Sequence, residues 1–266
     1  MAHEVSERTD RSPHDYPPVV GASDRIREFW DADAPTYDAT KSHSISDPLE
    51  RAAWRQVLSE ALPLPPASVL DVGAGTGSLA LLAAELGYAI TALDLSPGML
   101  AEAERKANAM GLADRVTCVV GSASEPPPGP FDVVVERHVL WTLPDPVGAL
   151  RSWLEVGRRL VLFEGVWGSR RLDRRAKEFA AETLRKMMRT PPDHHAPYPE
   201  DVLAELPLAR LPSPVPLVEA VHQAGWRGIR IRRLRDVEWA ARLHEPWPFG
   251  WLEELPRYVI VGDAES

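Results

Sequence analysis

Two acids and three glycines hold the chemistry that is easiest to read in this chain. Asp71 closes the apolar run Val69-Leu70, Gly73, Gly75 and Gly77 follow at alternate positions, and Asp94 lies 23 residues beyond Asp71. Glycine allows a sharp turn and leaves no Cβ in the way of a ligand. The free N–H groups of the helix that follows point at the same spot. A strand, a tight turn and a helix N-terminus in that order make a site for a nucleotide-like ligand. The dinucleotide fingerprint G-x-G-x-x-G/A would need Gly or Ala at position 78, where this chain has Ser78. A carboxylate at Asp71 also faces a bound pyrophosphate badly, whereas it suits a ligand bearing an ammonium and a sulfonium. Asp94 can accept hydrogen bonds from both ribose hydroxyls. Its alternative role, capping the helix at Ser96-Pro97, is better filled by Ser96.

A second group of residues could meet a reacting partner. His138 stands just past an apolar strand, with Trp141 three residues on. Tyr37 and His43 share a polar loop, Asp31 to Ser46, near the N-terminus. His138, Tyr37 and His43 are the candidates for moving a proton, and His138 has a structural hydrogen bond as its alternative. The pair His194-His195 and Trp167 lie in a charged, proline-rich stretch, and Glu164 at a strand end reads as a structural acceptor. The single cysteine, Cys118, sits in the strand pattern Val116–Val120 and reads as a small core side chain. No CxxC or HExxH spacing offers a metal site.

These residues need a frame, and the hydrophobic periodicity supplies one. Residues Met1 to Gly21 are polar and broken by prolines, and Asp24–Trp30 and Asp47–Ala61 read as helices. From Ser68 the pattern alternates. Strands are expected at Ser68–Val72, Ala89–Leu93, Val116–Val120, Phe131–Glu136 and Arg159–Glu164, with helices at Ser78–Leu86, Pro97–Met110 and Pro146–Val156. Short all-apolar strands separated by longer helices mean a parallel sheet covered on both faces. A break at about 166–216 reads as an insertion, with a helix at Leu172–Arg189. A helix at Leu217–Ala224 and strands at Gly228–Arg235 and Tyr258–Gly262 follow, with Trp239, Trp247 and Trp251 expected to form a packed aromatic corner. The organisation is therefore an N-terminal arm and helical cover over 1–66 and a ligand-binding domain over 67–266.

Val69–Ser78, Ala92–Leu100, Phe131–His138 and Leu143–Pro146 together resemble the motifs of class I S-adenosylmethionine-dependent methyltransferases. The resemblance implies a Rossmann-like α/β fold, a mostly parallel seven-stranded sheet with its last strand antiparallel. It also implies S-adenosyl-L-methionine as cofactor and S-adenosyl-L-homocysteine as product. Carried over by position, Gly73, Gly75 and Gly77 line the methionyl part, Asp71 holds the amino group directly or through water, and Asp94 binds the ribose. Leu95 and Met99 lie against the adenine, Ala123 beside the ring, and Arg137 near the methionyl group. Gly121-Ser122-Ala123 lacks the acid the family often has there, so adenine recognition falls to Ser122 and backbone. Glu155–Arg158 also lacks the usual Pro-Gly-Gly turn.

Composition narrows the partners. In 266 residues, 30 Lys and Arg against 39 Asp and Glu leave a net charge of -9, which argues against nucleic acid. Arg230, Arg232, Arg233 and Arg235 read as positive charge guarding a sheet edge, and the cluster Arg170, Arg171, Arg174, Arg175 and Lys177 as a solvated helix face. No apolar run approaches membrane-spanning length, so a cytoplasmic protein with no membrane partner is expected, and a homo-oligomer is compatible with the sequence. The N-terminal cover, the segment Leu140–Pro146 and the insertion resemble those of methyltransferases that tailor secondary metabolites. That points to N-methylation of an amine or amino sugar in antibiotic biosynthesis. O-methylation of a phenol or hydroxyl, RNA methylation, nicotinamide-dependent oxidation and a non-catalytic sensor are the alternatives.

Overall fold

A computed structural model describes residues 22–39, 43–166, 172–188, 203–252 and 255–265. Its centre is a seven-stranded sheet: β1 (Ser68–Val72), β2 (Ala89–Asp94), β3 (Val116–Val120), β4 (Val133–Arg137), β5 (Arg159–Gly165), β6 (Arg227–Arg233) and β7 (Arg257–Asp263). The order is β3-β2-β1-β4-β5-β7-β6, parallel except for β7, which runs antiparallel to both its neighbours. The strand order reverses at β1, between β2 and β4, so the carboxyl ends of these strands open a crevice there, where open α/β sheets take their ligands.

The helices are α1 (Ala22–Asp33), α2 (Pro48–Ala61), α3 (Ser78–Glu85), α4 (Pro97–Ala109), α5 (Pro146–Val156), α6 (Leu172–Met188), α7 (Val215–Gln223), α8 (Arg235–His244) and the short α9 (Phe249–Leu252). Alternation along the strands sorts the core into two layers. Val69, Val133, Val135, Val161 and Phe163 face α2, α3 and α8, where Trp54 meets Phe163 edge-on at 5.2 Å. Leu70, Val72, Val134, Leu160 and Leu162 face α5 and α7, where Trp153 and Trp226 are buried. Pro at the first turn and an acid cap start α2 and α5, with Asp47 accepting from the Leu49 and Glu50 amides and Asp145 from Gly148.

Several expectations shift. The polar loop from Asp31 is helical through Asp33, and Tyr37–Ala39 form a 3-10 turn. Strand β4 begins at Val133, Phe131 making only an isolated bridge to Gly157. Strand β6 stops at Arg233 and a helix unseen in the pattern, α8, begins at Arg235, because Val237 and Ala240 drop into the core at helical spacing. The aromatic corner is not packed. Trp247 is 82 % exposed, and Trp239 and Trp251 meet edge-on at 5.8 Å on the surface with the Arg242 guanidinium over both. Cys118 is half-buried, not sealed, and burial pushes its thiol up to about 11, far from a nucleophile's range. Arg230, Arg232 and Arg233 are paired with Asp263, Glu60 and Glu238, as edge-guarding charges rather than a free basic face. Among the described residues no helix is long and apolar enough to cross a membrane and no cluster could hold a metal ion.

Candidate active site

The glycine turn is built by backbone constraints. Gly73, Gly75 and Gly77 have φ of 65°, 55° and 79°, left-handed values that glycine adopts without strain. The turn closes through Ala74 N–H to Leu93 O and Gly77 N–H to Ala74 O. A side chain at Gly73 would collide with Val139, and one at Gly77 would press on Ala103. At Gly75 a Cβ would meet nothing within 4 Å. Of the three, Gly75 therefore offers its face to open space, while the other two are small because neighbours pack against them.

Asp94 ends β2 beside this open face. Its Oδ2 accepts from Gly75 N–H at 2.8 Å and its Oδ1 from Ser96 N–H at 2.8 Å. Burial raises its pKa against the pull of these amides. Ser96 caps α4 by accepting from Met99 N–H, as its position beside Pro97 implies. Leu95 is half-buried and Met99 buried. Gly121 N–H donates to Asp94 O, which sets Ser122 and Ala123 next to the β2 tip. The Ser122 hydroxyl accepts from Ser124 N–H, and the Ala123 carbonyl from Trp153 Nε1.

Asp71 differs from its expected posture. It is 4 % exposed and borders a cavity of about 10 Å³ among Leu58, Leu62, Val69, Leu79, Ile90 and Val135, room for a single water at most. The Ala80 amide, in the first turn of α3, whose N-cap Gly77 has no side chain, faces the Asp71 carboxyl and favours its ionised form. Burial pushes its carboxyl up to about 7, opposed by the Arg137 charge.

The N-terminal segment is fastened over the turn at three residues. Asp31 in α1 accepts from Ser96 Oγ at 2.5 Å and Gly98 N–H at 3.0 Å. Asp38 accepts from Thr76 Oγ1 and pairs with Lys106, both at 2.6 Å. The carbonyl of His43 accepts from Arg137 Nη2 at 3.0 Å. Between these fastenings the Tyr37 and His43 rings stack at 4.2 Å, Trp30 meets Tyr37 edge-on, and Arg137 lies over Trp54. Burial raises the Tyr37 hydroxyl pKa, with the Arg137 charge opposing and the Asp94 charge adding to it, so Tyr37 is a donor near neutral pH and not a base. Asp31, Asp38, Thr76 and Lys106 were not singled out by sequence. Their partners lie 38 to 68 residues away, beyond any local pattern.

His138 follows β4 with φ of 64°, unlike any other described non-glycine residue. Such a conformation persists only where its surroundings hold it, and it concentrates at functional sites. Its N–H donates to Phe163 O, its Nδ1 lies 3.4 Å from Glu164 Oε2, and 26 % of its side chain is exposed. Burial and the charges of Arg137, Arg257 and His43 hold its pKa well below the usual value, so the ring is neutral at pH 7. Tyr37, His43, Arg137 and His138 thus gather at the carboxyl ends of the central strands with Asp94 and the glycine turn. His194, His195 and Trp167 lie outside the described residues.

Residues 70–160 match the family described as a methyltransferase domain. A ubiquinone biosynthesis O-methyltransferase of Xanthomonas campestris is 34% identical over 126 residues, 47% of this chain and 49% of that protein. The chain thus spans about half the length of that relative. A demethylmenaquinone methyltransferase of Beutenbergia cavernae is 29% identical over 245 residues, covering 85% of this chain and 88% of that protein. Among solved structures, the phosphoethanolamine N-methyltransferase 2 of Haemonchus contortus, in complex with S-adenosyl-L-methionine, superposes with a TM-score of 0.63. It is 18% identical and covers 94% of this chain and 61% of that one, a likeness of fold. Residues 70–160 thus carry a methyltransferase domain, set in the strand order and the glycine turn described above.

Proposed function

We propose that the protein transfers the methyl group of S-adenosylmethionine to the nitrogen of a small amine or amino sugar, in the cytoplasm, as a step of secondary-metabolite or antibiotic biosynthesis. The observation that carries the cofactor half is the Asp94 carboxylate, held by the Gly75 and Ser96 amides beside the one glycine of the turn that faces open space. Asp94 would accept from the ribose hydroxyls, Leu95, Met99, Ser122 and Ala123 would border the adenine, and the methionyl chain would cross the open face of Gly75. Arg137 would lie near the methionyl end, and Asp71, sealed below, would act on the amino group through its charge or a water. The cofactor supplies a methyl carbon on a positively charged sulfur. Residues 1–66 serve in this reading as a cover over a methyltransferase domain spanning 67–266, and Tyr37 and His43 roof the cofactor.

Methyl transfer needs alignment more than acid–base help, and alignment can supply several kcal/mol. An acceptor that arrives protonated still needs a base. His138 is neutral, partly exposed and near the cofactor crevice, which suits that task. The argument for nitrogen is the resemblance of the N-terminal cover, the Leu140–Pro146 segment and the insertion to those of methyltransferases that tailor secondary metabolites. A phenolic or other hydroxyl acceptor is the second reading, supported by the O-methyltransferase name of the Xanthomonas relative. RNA is the weakest reading, given the net charge of -9 and the paired arginines of β6.

The test is transfer of labelled methyl from S-adenosylmethionine to a panel of amines, amino sugars, phenols and tRNA. Label in amines or amino sugars is expected. Label confined to phenols establishes the second reading, label in tRNA overturns both, and no label anywhere leaves a cofactor-binding sensor.

A further inference from the structure

Two arginines stand at the end of β5. Arg257 opens β7, and its register partner is Gly165, the last residue of β5. Arg137 closes β4, with Phe163 as its partner. Alternation puts both on one face of the sheet, since Val135 and Val259, two residues from each, lie in the layer that α2 and α8 cover. In the order β1-β4-β5-β7, Arg257 is the further of the two from the glycine turn.

The backbone of Arg257 is fixed. Its N–H donates to Glu238 Oε1 at 2.8 Å, and its carbonyl accepts from Leu234 N–H at 2.8 Å. Its guanidinium is not: although the residue is half-buried, among the described residues this group makes no hydrogen bond or ion pair. Three acids act on it through their charge, Glu50 from α2 and Glu238 and Glu245 from α8 and its cap. Glu238 commits both oxygens to Arg233 Nε, at 2.9 and 3.0 Å, besides the Arg257 N–H. Glu50 Oε1 accepts from Trp54 Nε1 at 3.3 Å, and Arg137 and Arg257 both act on this one carboxyl.

The two arginines face different groups. Arg137 donates to His43 O, lies over Trp54, and acts on Asp71 and Tyr37, the groups at the cofactor turn. Arg257 acts on Glu50 and on the ring of His138. An arginine presents five N–H donors in a planar fork and keeps its charge at any ordinary pH. Half-buried and without a protein acceptor, that fork complements a planar oxyanion, which takes two parallel N–H···O bonds. The acids nearby limit the charge of the oxyanion: a single negative charge is tolerated, while a phosphate dianion meets their repulsion.

We propose that Arg257 holds a carboxylate of the methyl acceptor, with the atom to be methylated lying at His138. This rests on the methyltransferase reading and narrows it. The acceptor is then an amine that also carries a carboxylate, such as an amino acid, an aminobenzoate or an amino-sugar acid, and not a simple amine. Arg257 sets specificity: it binds and orients the acceptor and moves no proton.

The test uses the whole chain with a panel of amino acids, aminobenzoates and amino-sugar acids, and the neutral amide of each. Calorimetry in the presence of S-adenosylhomocysteine reads binding without transfer. Wild type is expected to bind at least one acid about tenfold or more tightly than its amide. Arg257→Met, its fold checked by circular dichroism, is expected to lose that preference. Arg257→Lys is expected to keep part of it, since it returns the charge without the fork. Should Arg257→Met fail to fold, the contrast of acid and amide in wild type decides the matter. No acid bound, amides bound as well as acids, or an undiminished preference in folded Arg257→Met would overturn the proposal. So would a phosphorylated amine bound more tightly than every acid. Labelled methyl from S-adenosylmethionine judges the underlying reading separately. Acid binding that depends on Arg257, with no label transferred, keeps the subsite and overturns the transfer. Label in neutral amines, unaffected by Arg257→Met, keeps the transfer and overturns the subsite.

Discussion

In the proposed reading the crevice has a cofactor end and an acceptor end, and their polar atoms are treated in opposite ways. At the cofactor end, both Asp94 oxygens accept backbone amides, and Asp31 and Asp38 each accept two donors. At the acceptor end, Glu136 and Glu164 are more deeply buried, yet among the described residues each has an oxygen with no hydrogen-bond partner, and the residue above them is held at a positive φ. The first arrangement is a rigid recognition surface, in which each carboxylate is fixed by its neighbours. The second stores unfavourable electrostatics, which structures tolerate where a protonation state has work to do. On that reading recognition comes from satisfied groups, and reactivity from frustrated ones.

This contrast can be broken most sharply at Asp94. Replacing it by Ala removes the ribose acceptor and strands the Gly75 and Ser96 amides, so S-adenosylhomocysteine binding should weaken by about 100-fold, roughly 3 kcal/mol. Calorimetry checks it, with circular dichroism to confirm the fold, and undiminished binding would remove Asp94 from the site. Gly73→Ala comes next. Its φ of 65° and the Val139 side chain in the path of a Cβ should cost about 2 kcal/mol of stability, seen as a Tm lower by about 4 to 8 °C. An unchanged Tm would mean that Val139 moves freely, and that the two ends are less tightly packed together than they look.

The acceptor end has its own signature, a dependence on pH. Glu136 and Asp71 have pKa values raised to about 8 and about 7 in the fold, above the ordinary carboxylate value they regain on unfolding. The unfolded chain therefore releases these protons first as pH rises. The stability they contribute is complete below about pH 4 and is lost progressively until the folded values are passed. For these two groups Tm should fall between about pH 5 and pH 8, and Glu136→Gln should flatten part of that slope. A slope equally steep in the variant would take Glu136 out of the explanation. At the cofactor end the matching probe is Asp38→Ala, which frees Thr76 and Lys106. With the Asp38–Lys106 pair partly solvent-exposed, cofactor affinity should drop by only about fivefold, near 1 kcal/mol.

The same contrast decides what could be read from the sequence. The sheet, the glycine turn, Asp94 and the Ser96 cap are local: strand, turn and helix are adjacent in the chain, and the periodicity carries them. Helix α8 is hidden in the sequence because the alternating arginines of β6 run directly into it and its buried stripe is short, while Trp239 and Trp251 meet each other on the surface and not in a core. The fastenings of Asp31 and Asp38 join residues 38 to 68 positions apart, and nothing in their own neighbourhood marks them. Glu136 was passed over for a different reason. In the run Val133–Arg137 it looks like the solvent-facing end of a strand, and only the register against β5 sets it diagonally beside Glu164 in the buried layer.

The smallest expected effect tests how complete the recognition surface is. Ser122 stands where the family often has an acid for the adenine amino group, and its hydroxyl already accepts from Ser124 N–H at 3.2 Å. A hydroxyl so engaged keeps its hydrogen to donate and one lone pair to accept, a weaker acceptor for an amino group than the two oxygens of a carboxylate. Adenine would then be held mainly by the sides of Leu95 and Met99 and by backbone. Ser122→Ala should accordingly weaken S-adenosylhomocysteine binding by about threefold at most, within 1 kcal/mol. Ser122→Asp, which supplies the missing acid, should leave binding equal or better if the amino group lies within reach. A loss of tenfold or more in Ser122→Ala would instead make this hydroxyl a principal adenine contact, and the cofactor end would owe its specificity to a side chain and not to the backbone that builds the rest of it.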